Sequence, residues 1–200
     1  MPPDATDTKR RILVAAHAEF AQFGLSGARI DRIAETAGVN KRSIYVHFGP
    51  KEVLFDLIVA RALTEMAEEV PFTPDDLPAY AGALFDYLVT TPAVLRLTVW
   101  SGLERPEPNP AEVQAYQPKV QALERQFGTA AVDTLALLLG LVTGWLTASP
   151  ALRSLAAEDP MSDSRLAFHR AALVAAAAKL VDKPASAGTA GARIRAKSAR

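Results

Sequence analysis

Apolar residues recur along this chain at spacings of three and four, and no segment alternates convincingly at the period of two that a strand requires. Ile12, Ala16, Phe20 and Phe23 form one such stripe, which predicts a first helix from about Thr8 to Phe23 stopped by Gly24. Ile30, Ile33, Ala34 and Ala37 repeat the pattern, with Asp31, Arg32 and Glu35 on the wet side. Gly38 then ends the helix, because a glycine takes the left-handed conformation of a helix terminus without a Cβ clash, and Val39 plugs the angle that follows. Asn40 is a good N-cap for a short third helix in which Ile44 and Phe48 face inward and Lys41, Arg42, Ser43, Tyr45 and His47 stay on the outer faces. Two short helices about a glycine turn make a helix-turn-helix. An outer surface of Lys, Arg, Ser, Tyr and His suits a DNA major groove and its flanking phosphates.

Helical spacing continues downstream. Gly49 and Pro50 break the third helix, and a fourth runs through Val53, Leu54, Leu57, Ile58 and Leu63 to about Val70. Pro71, Pro74 and Pro78 mark a loop. Helices follow over Leu77 to Val89, Pro92 to Leu103, Pro110 to about Phe127, Thr129 to Ser149 and Ser162 to Val181. From Lys183 onward the chain is small residues with Lys183, Arg193, Arg195, Lys197 and Arg200 and no acid, which predicts a disordered basic tail. Thr134 to Leu152 carries no charge and approaches the length of a bilayer span. Its dense apolar part ends at Leu146, with Ser149 and Pro150 beyond and no basic cluster beside it, so a buried interface helix is expected and no membrane partner.

Composition narrows the classes. The chain has 200 residues, half of them apolar, enough for one large or two small domains. Formal net charge is zero, yet Lys9, Arg10, Arg11, Arg29, Arg32, Lys41, Arg42 and Lys51 face only Glu19, Asp31 and Glu35 between Lys9 and Lys51, so positive charge is concentrated on the helix-turn-helix. No cysteine is present, which fits a reducing cytoplasm, and Met1 to Arg11 lacks the pattern of a signal peptide. The histidines, His17, His47 and His169, are far apart, and no metal-ligand spacing, nucleophile elbow or phosphate-cradling loop occurs. The expectation is no enzyme, no metal and no cofactor.

Phe20 to Gly24, Ile33 to Val39, Tyr45 to Phe48 and Lys51 together resemble the DNA-binding domain of the TetR family of bacterial transcriptional regulators. The resemblance covers about Thr8 to Leu57. It implies an all-α fold: a disordered 1–7, a three-helix helix-turn-helix domain at 8–57 with the fourth helix as connector to about 70, a helical effector-binding and dimerisation domain at 58–182, and the tail at 183–200. The family usually places Ser or Thr ahead of its second helix, as cap and phosphate contact. This chain has Ala28 and Arg29 there, leaving the role to Ser26 or the Arg29 guanidinium.

The residues expected at DNA are Arg29, Asn40, Lys41, Arg42, Ser43, Tyr45, His47 and Lys51. Asn40 to Ser43 lie at the end of the recognition helix that meets base edges, with Lys41 and Arg42 reading guanine, while Tyr45, His47 and Lys51 contact phosphate. For the larger domain the resemblance implies a ligand cavity and a dimer interface. Candidate ligand-binding residues are Tyr80, Phe85, Tyr87, Trp100, Glu104, Tyr116 and Trp145, an aromatic set with a carboxylate that suits an aromatic or cationic effector, and Pro92 to Glu104 is similar to a subgroup that binds diverse, often cationic, compounds. Two small-residue and apolar helices supply the expected dimer contacts: Leu135, Leu138, Leu141, Val142 and Trp145 on one, Ala171, Val174, Ala175 and Ala178 on the other. The expected function is a repressor that binds a palindromic operator as a homodimer and is released by a small molecule. A constitutive DNA-binding regulator without an effector is the alternative.

Overall fold

The computed structural model describes residues 5–182, and among them every regular element is helical. The expected disordered tail at 183–200 lies outside the described residues. The first helix, α1 (Ala5–Gly27), begins three residues earlier than the sequence predicts and runs past Gly24. There the backbone breaks at φ 67°, ψ −173°, so one short turn follows the main helix at an angle. α2 (Ile30–Ala37) buries Ile30, Ile33, Ala34 and Ala37, the four positions of its apolar face. Gly38 ends it at φ 62°, and α3 (Lys41–Phe48) opens at once, with the Asn40 side chain accepting from the Arg42 N–H at 2.8 Å. α4 (Lys51–Glu69) begins immediately after Pro50.

Phe20 of α1 and Phe55 of α4 meet edge to face at 5.1 Å and close the small domain's core over Ile12, Ile33, Ile44 and Leu54, all fully buried. The larger domain is built from α5 (Leu77–Thr90), α6 (Pro92–Glu104), α7 (Pro110–Phe127), a 3₁₀ turn at Gly128–Ala130, α8 (Ala131–Thr147), α9 (Pro150–Arg153) and α10 (Asp163–Val181). α9 is a single turn that the sequence pattern leaves as loop. α5 packs against both α8 and α10, and α7 packs on α8.

The run from Glu112 to Thr147 is apolar and long enough to cross a bilayer by composition alone. Within it Leu135, Leu138, Val142 and Trp145 point into the subunit's own core. They therefore pack inward where the sequence reading offered them to a second subunit. Leu141, Val174 and Ala178 are half-buried, and Ala171 and Ala175 are exposed. The outward face of α8 carries Leu137, 57% exposed, with Gly140 and Gly144. That of α10 carries Phe168, 69% exposed, with Ala171, Ala172 and Ala175.

Candidate nucleic-acid interface

The reading head is assembled by polar groups at helix ends. Arg29 is the N-cap of α2 and its own side chain caps nothing. The free Arg29 N–H is met instead by Glu19, reaching from α1, whose Oε1 accepts at 2.8 Å. The same carboxylate binds Arg32, at 2.8 Å from Nε and 2.6 Å from the terminal nitrogen, while Arg32 also donates to the Gly27 carbonyl and lies 4.3 Å over the Phe23 ring. The cap that sequence reasoning assigned to Ser26 or Arg29 thus comes from Glu19. A signal existed, since Glu19 falls within the apolar stripe of Ile12, Ala16 and Phe20 and is only 9% exposed. At the other end of α2, Arg11 donates to the Ala37 carbonyl at 2.9 Å, which offsets the negative end of that helix.

These clamps fix where the exposed groups stand. Lys51 Nζ donates to the Ala28 carbonyl at 3.2 Å, which seats the ammonium at the start of α2 next to exposed Arg29. Lys41 is ion-paired with Asp31 across the turn at 2.8 Å, and that bond followed by the charge of Asp31 raises its pKa. Arg42 is exposed, Tyr45 is 47% exposed, and Ser43 and His47 are half-buried, the His47 ring lying 6.2 Å from that of Phe48. Asn40 directs its carbonyl oxygen to the cap, so its two amide N–H donors are the groups turned toward a ligand.

The candidate ligand residues do not share one cavity. Trp100 and Glu104 belong instead to the seam between the two domains, where α6 lies along α1. Glu104 accepts from the N–H groups of Leu25 and Ser26, just past the break at Gly24. Arg96, two turns earlier on the same face of α6, donates to the carbonyls of Ala21 at 2.7 Å and Gln22 at 3.0 Å, just before it. One helix thus caps both sides of the break. Trp100, between them, sits so close that a Cβ on Gly24 would meet its ring and the Glu104 carboxylate at 2.7 Å. Burial pushes the Glu104 carboxyl up, but the bonds from Ser26 and Leu25 and the charge of Lys51 outweigh it, leaving the pKa lowered. Arg105 adds a bidentate pair to Asp56 of α4, at 3.0 and 2.7 Å. Arg96, Trp100 and Glu104 are four residues apart and so share one face of α6, and that spacing alone does not say what the face meets.

The remaining aromatics divide in two groups, with Tyr87 apart from both on α5, its hydroxyl near Thr91. Phe85 and Trp145 flank the His169 ring at 5.5 and 5.3 Å, between α5, α8 and α10. Tyr80 accepts from Lys119 Nζ at 3.1 Å; burial, then the neighbouring Tyr116, pushes its pKa up to about 12, and burial lowers that of Lys119. Tyr116 lines a cleft of about 500 Å³ along α7, beside Asn109, Glu112, Val120 and Glu124.

Comparison with known proteins supports the same organisation. Residues 12–58 match the family described as bacterial regulatory proteins, tetR family, and residues 76–179 match the tetracyclin repressor-like C-terminal domain. The chain is 39% identical over 160 residues to the HTH-type transcriptional repressor SCO4008 of Streptomyces coelicolor, covering 75% of this chain and 83% of that protein. It is 43% identical over 63 residues to the uncharacterized HTH-type transcriptional regulator YhgD of Bacillus subtilis, about a third of each chain. The crystal structure of the candidate transcriptional regulator SCO4942 from Streptomyces coelicolor superimposes with a TM-score of 0.73 at 35% identity, over 88% of this chain and 99% of that one.

Proposed function

The chain belongs to the TetR family of transcriptional regulators, DNA-binding proteins and not enzymes, and from that premise we propose that it is a cytoplasmic repressor that binds a palindromic operator as a homodimer and releases it when a small molecule binds. The observation that carries this reading is the surface around α3. Its outer side carries the exposed Arg42 and Tyr45, with the exposed Lys41 at its edge paired to Asp31, while Lys51 and Arg29 stand together at the start of α2. In this reading Asn40, Lys41, Arg42 and Ser43 meet base edges, and Arg29, Tyr45, His47 and Lys51 hold phosphates.

A second copy supplies the other half-site. The exposed faces of α8 and α10, with Leu137, Leu141, Gly140, Gly144, Phe168 and Ala175, combine apolar side chains with small ones that let helices approach closely, and pairing them across a two-fold axis makes a four-helix interface. This spaces two recognition helices by ~34–36 Å, one turn of DNA. The effector, an aromatic or cationic molecule, is received by the larger domain, with the Tyr116 cleft and its carboxylates Glu112 and Glu124 the surface best suited to it. It acts by binding better to a conformation in which α6 no longer holds α1 in the DNA-competent position, and it shifts the equilibrium only by that difference in affinity.

Fluorescence anisotropy on duplex DNA from upstream of the protein's own gene, against a scrambled duplex over a range of salt, tests the reading. Tight preference for the upstream duplex with two subunits per site is expected, followed by release on titration with aromatic cations. Equal, weak binding to both duplexes at every salt overturns the repressor assignment at that site. Tight binding that no such compound reverses leaves a constitutive regulator.

A further inference from the structure

The outer side of α3 holds a residue that a cationic, polar reading of the helix passes over. Val46 is 70% exposed, more than any other large apolar residue of α1 to α4, and it has no place in the subunit's apolar packing. Ile44, fully buried, defines the inward direction of α3. At about 100° per residue, Arg42 and Val46 each lie about 160° from it, on opposite sides. These two therefore stand at the centre of the outward face, with Tyr45 and Ser43 at about 100° on its flanks and Lys41 turned further back toward Asp31. A valine here costs helix propensity relative to alanine and buries nothing within the subunit. Its side chain has one strongly preferred rotamer in a helix, presents two methyl groups, and offers neither donor nor acceptor.

We propose that Val46 reads thymine, packing its methyl groups against the 5-methyl group of a thymine in the major groove one helical turn from the base that Arg42 contacts. This rests on the assignment of α3 as the recognition helix. Among the four base edges in that groove only thymine offers an apolar group. A cytosine at the same place puts its amino group against a side chain that cannot accept, so the wrong base is penalised as well as the right one favoured. Four residues of helix span about 6 Å, roughly two base-pair steps of 3.4 Å. Each half-site therefore contains a guanine and a thymine about two steps apart.

Removing a single methyl group from DNA tests the proposal without touching any hydrogen bond. The full-length protein is used to enrich binding sites from a pool of random duplexes, and each thymine of one recovered half-site is then replaced, one at a time, by deoxyuridine. One replacement, about two steps from a guanine that Arg42→Ala no longer distinguishes, should weaken the wild-type protein about fourfold, the worth of one buried methyl. Val46→Ala, an exposed helix substitution that leaves folding intact, should bind thymine and deoxyuridine duplexes equally. If no thymine responds, or if the response persists in Val46→Ala, Val46 is not the reader. If no sequence is enriched at all, the operator reading fails and this proposal with it, whereas an enriched site that Arg42→Ala disrupts without any methyl effect overturns the valine assignment alone.

Discussion

The small domain and the large one are held together in different ways. In the small domain both ends of α2, the start of α3 and the break in α1 are each met by a side chain: Glu19 at the start of α2, Arg11 at its end, Asn40 at the start of α3, and Arg96 and Glu104 on either side of the break. The large domain is held chiefly by apolar contact among α5, α8 and α10, with an Arg170–Asp86 pair at 2.8 Å joining α10 to α5, and other half-buried polar groups there are loosely provided for. Lys119 has a phenol and two rings but no carboxylate partner among the described residues, and His169 keeps a ring nitrogen buried without a bond. Hydrogen bonds have direction and apolar contacts do not, so the first arrangement fixes a geometry and the second fixes a volume. A reading head needs its helices at set angles. In the proposed function the larger domain receives an effector, and such a domain needs to repack at low cost.

The sharpest test of this contrast is at the seam. Gly24→Ala combines a positive φ with a Cβ thrust into Trp100 and Glu104, and a loss of about 3 kcal/mol is expected in chemical denaturation. Glu19→Ala removes a buried carboxylate that satisfies a backbone N–H and an arginine at once. Arg32 is 37% exposed, which screens part of the pair, so about 2 kcal/mol is expected by the same measurement. A loss under about 0.5 kcal/mol in either variant would remove the claim that directional bonds hold the small domain.

Acid should loosen the seam by a smaller amount. The Glu104 carboxyl is lowered below its ordinary value of 4.5, so its contribution is complete above that pH and is lost as pH falls through the lowered value. The stability difference between wild type and Glu104→Gln, followed from about pH 6 to about pH 3, should shrink toward zero; a difference that stays constant would show that the charge of Glu104 is irrelevant. The smallest effect is expected in the other domain. Lys119→Met replaces a half-buried ammonium by an apolar chain of similar length, and thermal unfolding should move by less than about 0.5 kcal/mol in either direction. A loss as large as that of Glu19→Ala would erase the distinction between the domains.

The sequence by itself determined the helices and the turn between α2 and α3. Those depend on local terms, the spacing of Ile30, Ile33, Ala34 and Ala37 and the freedom of Gly38, which neighbours in the chain fully specify. It also located the exposed cluster of Lys41, Arg42 and Tyr45 on α3 to which the proposed function assigns the DNA contacts. What it could not determine was which face of α6, α8 or α10 meets what. A stripe of Arg96, Trp100 and Glu104 reads equally as a pocket wall or as a clamp, and only the packing of α6 along α1 made it a clamp. Likewise α8 is apolar nearly all round, so its pattern carries no direction, and the fold alone turned Leu135, Leu138 and Val142 inward and Leu137 outward. The reason is common to both cases: periodicity encodes the angle of a side chain about its own helix axis, whereas its partner depends on contacts between residues far apart in the chain.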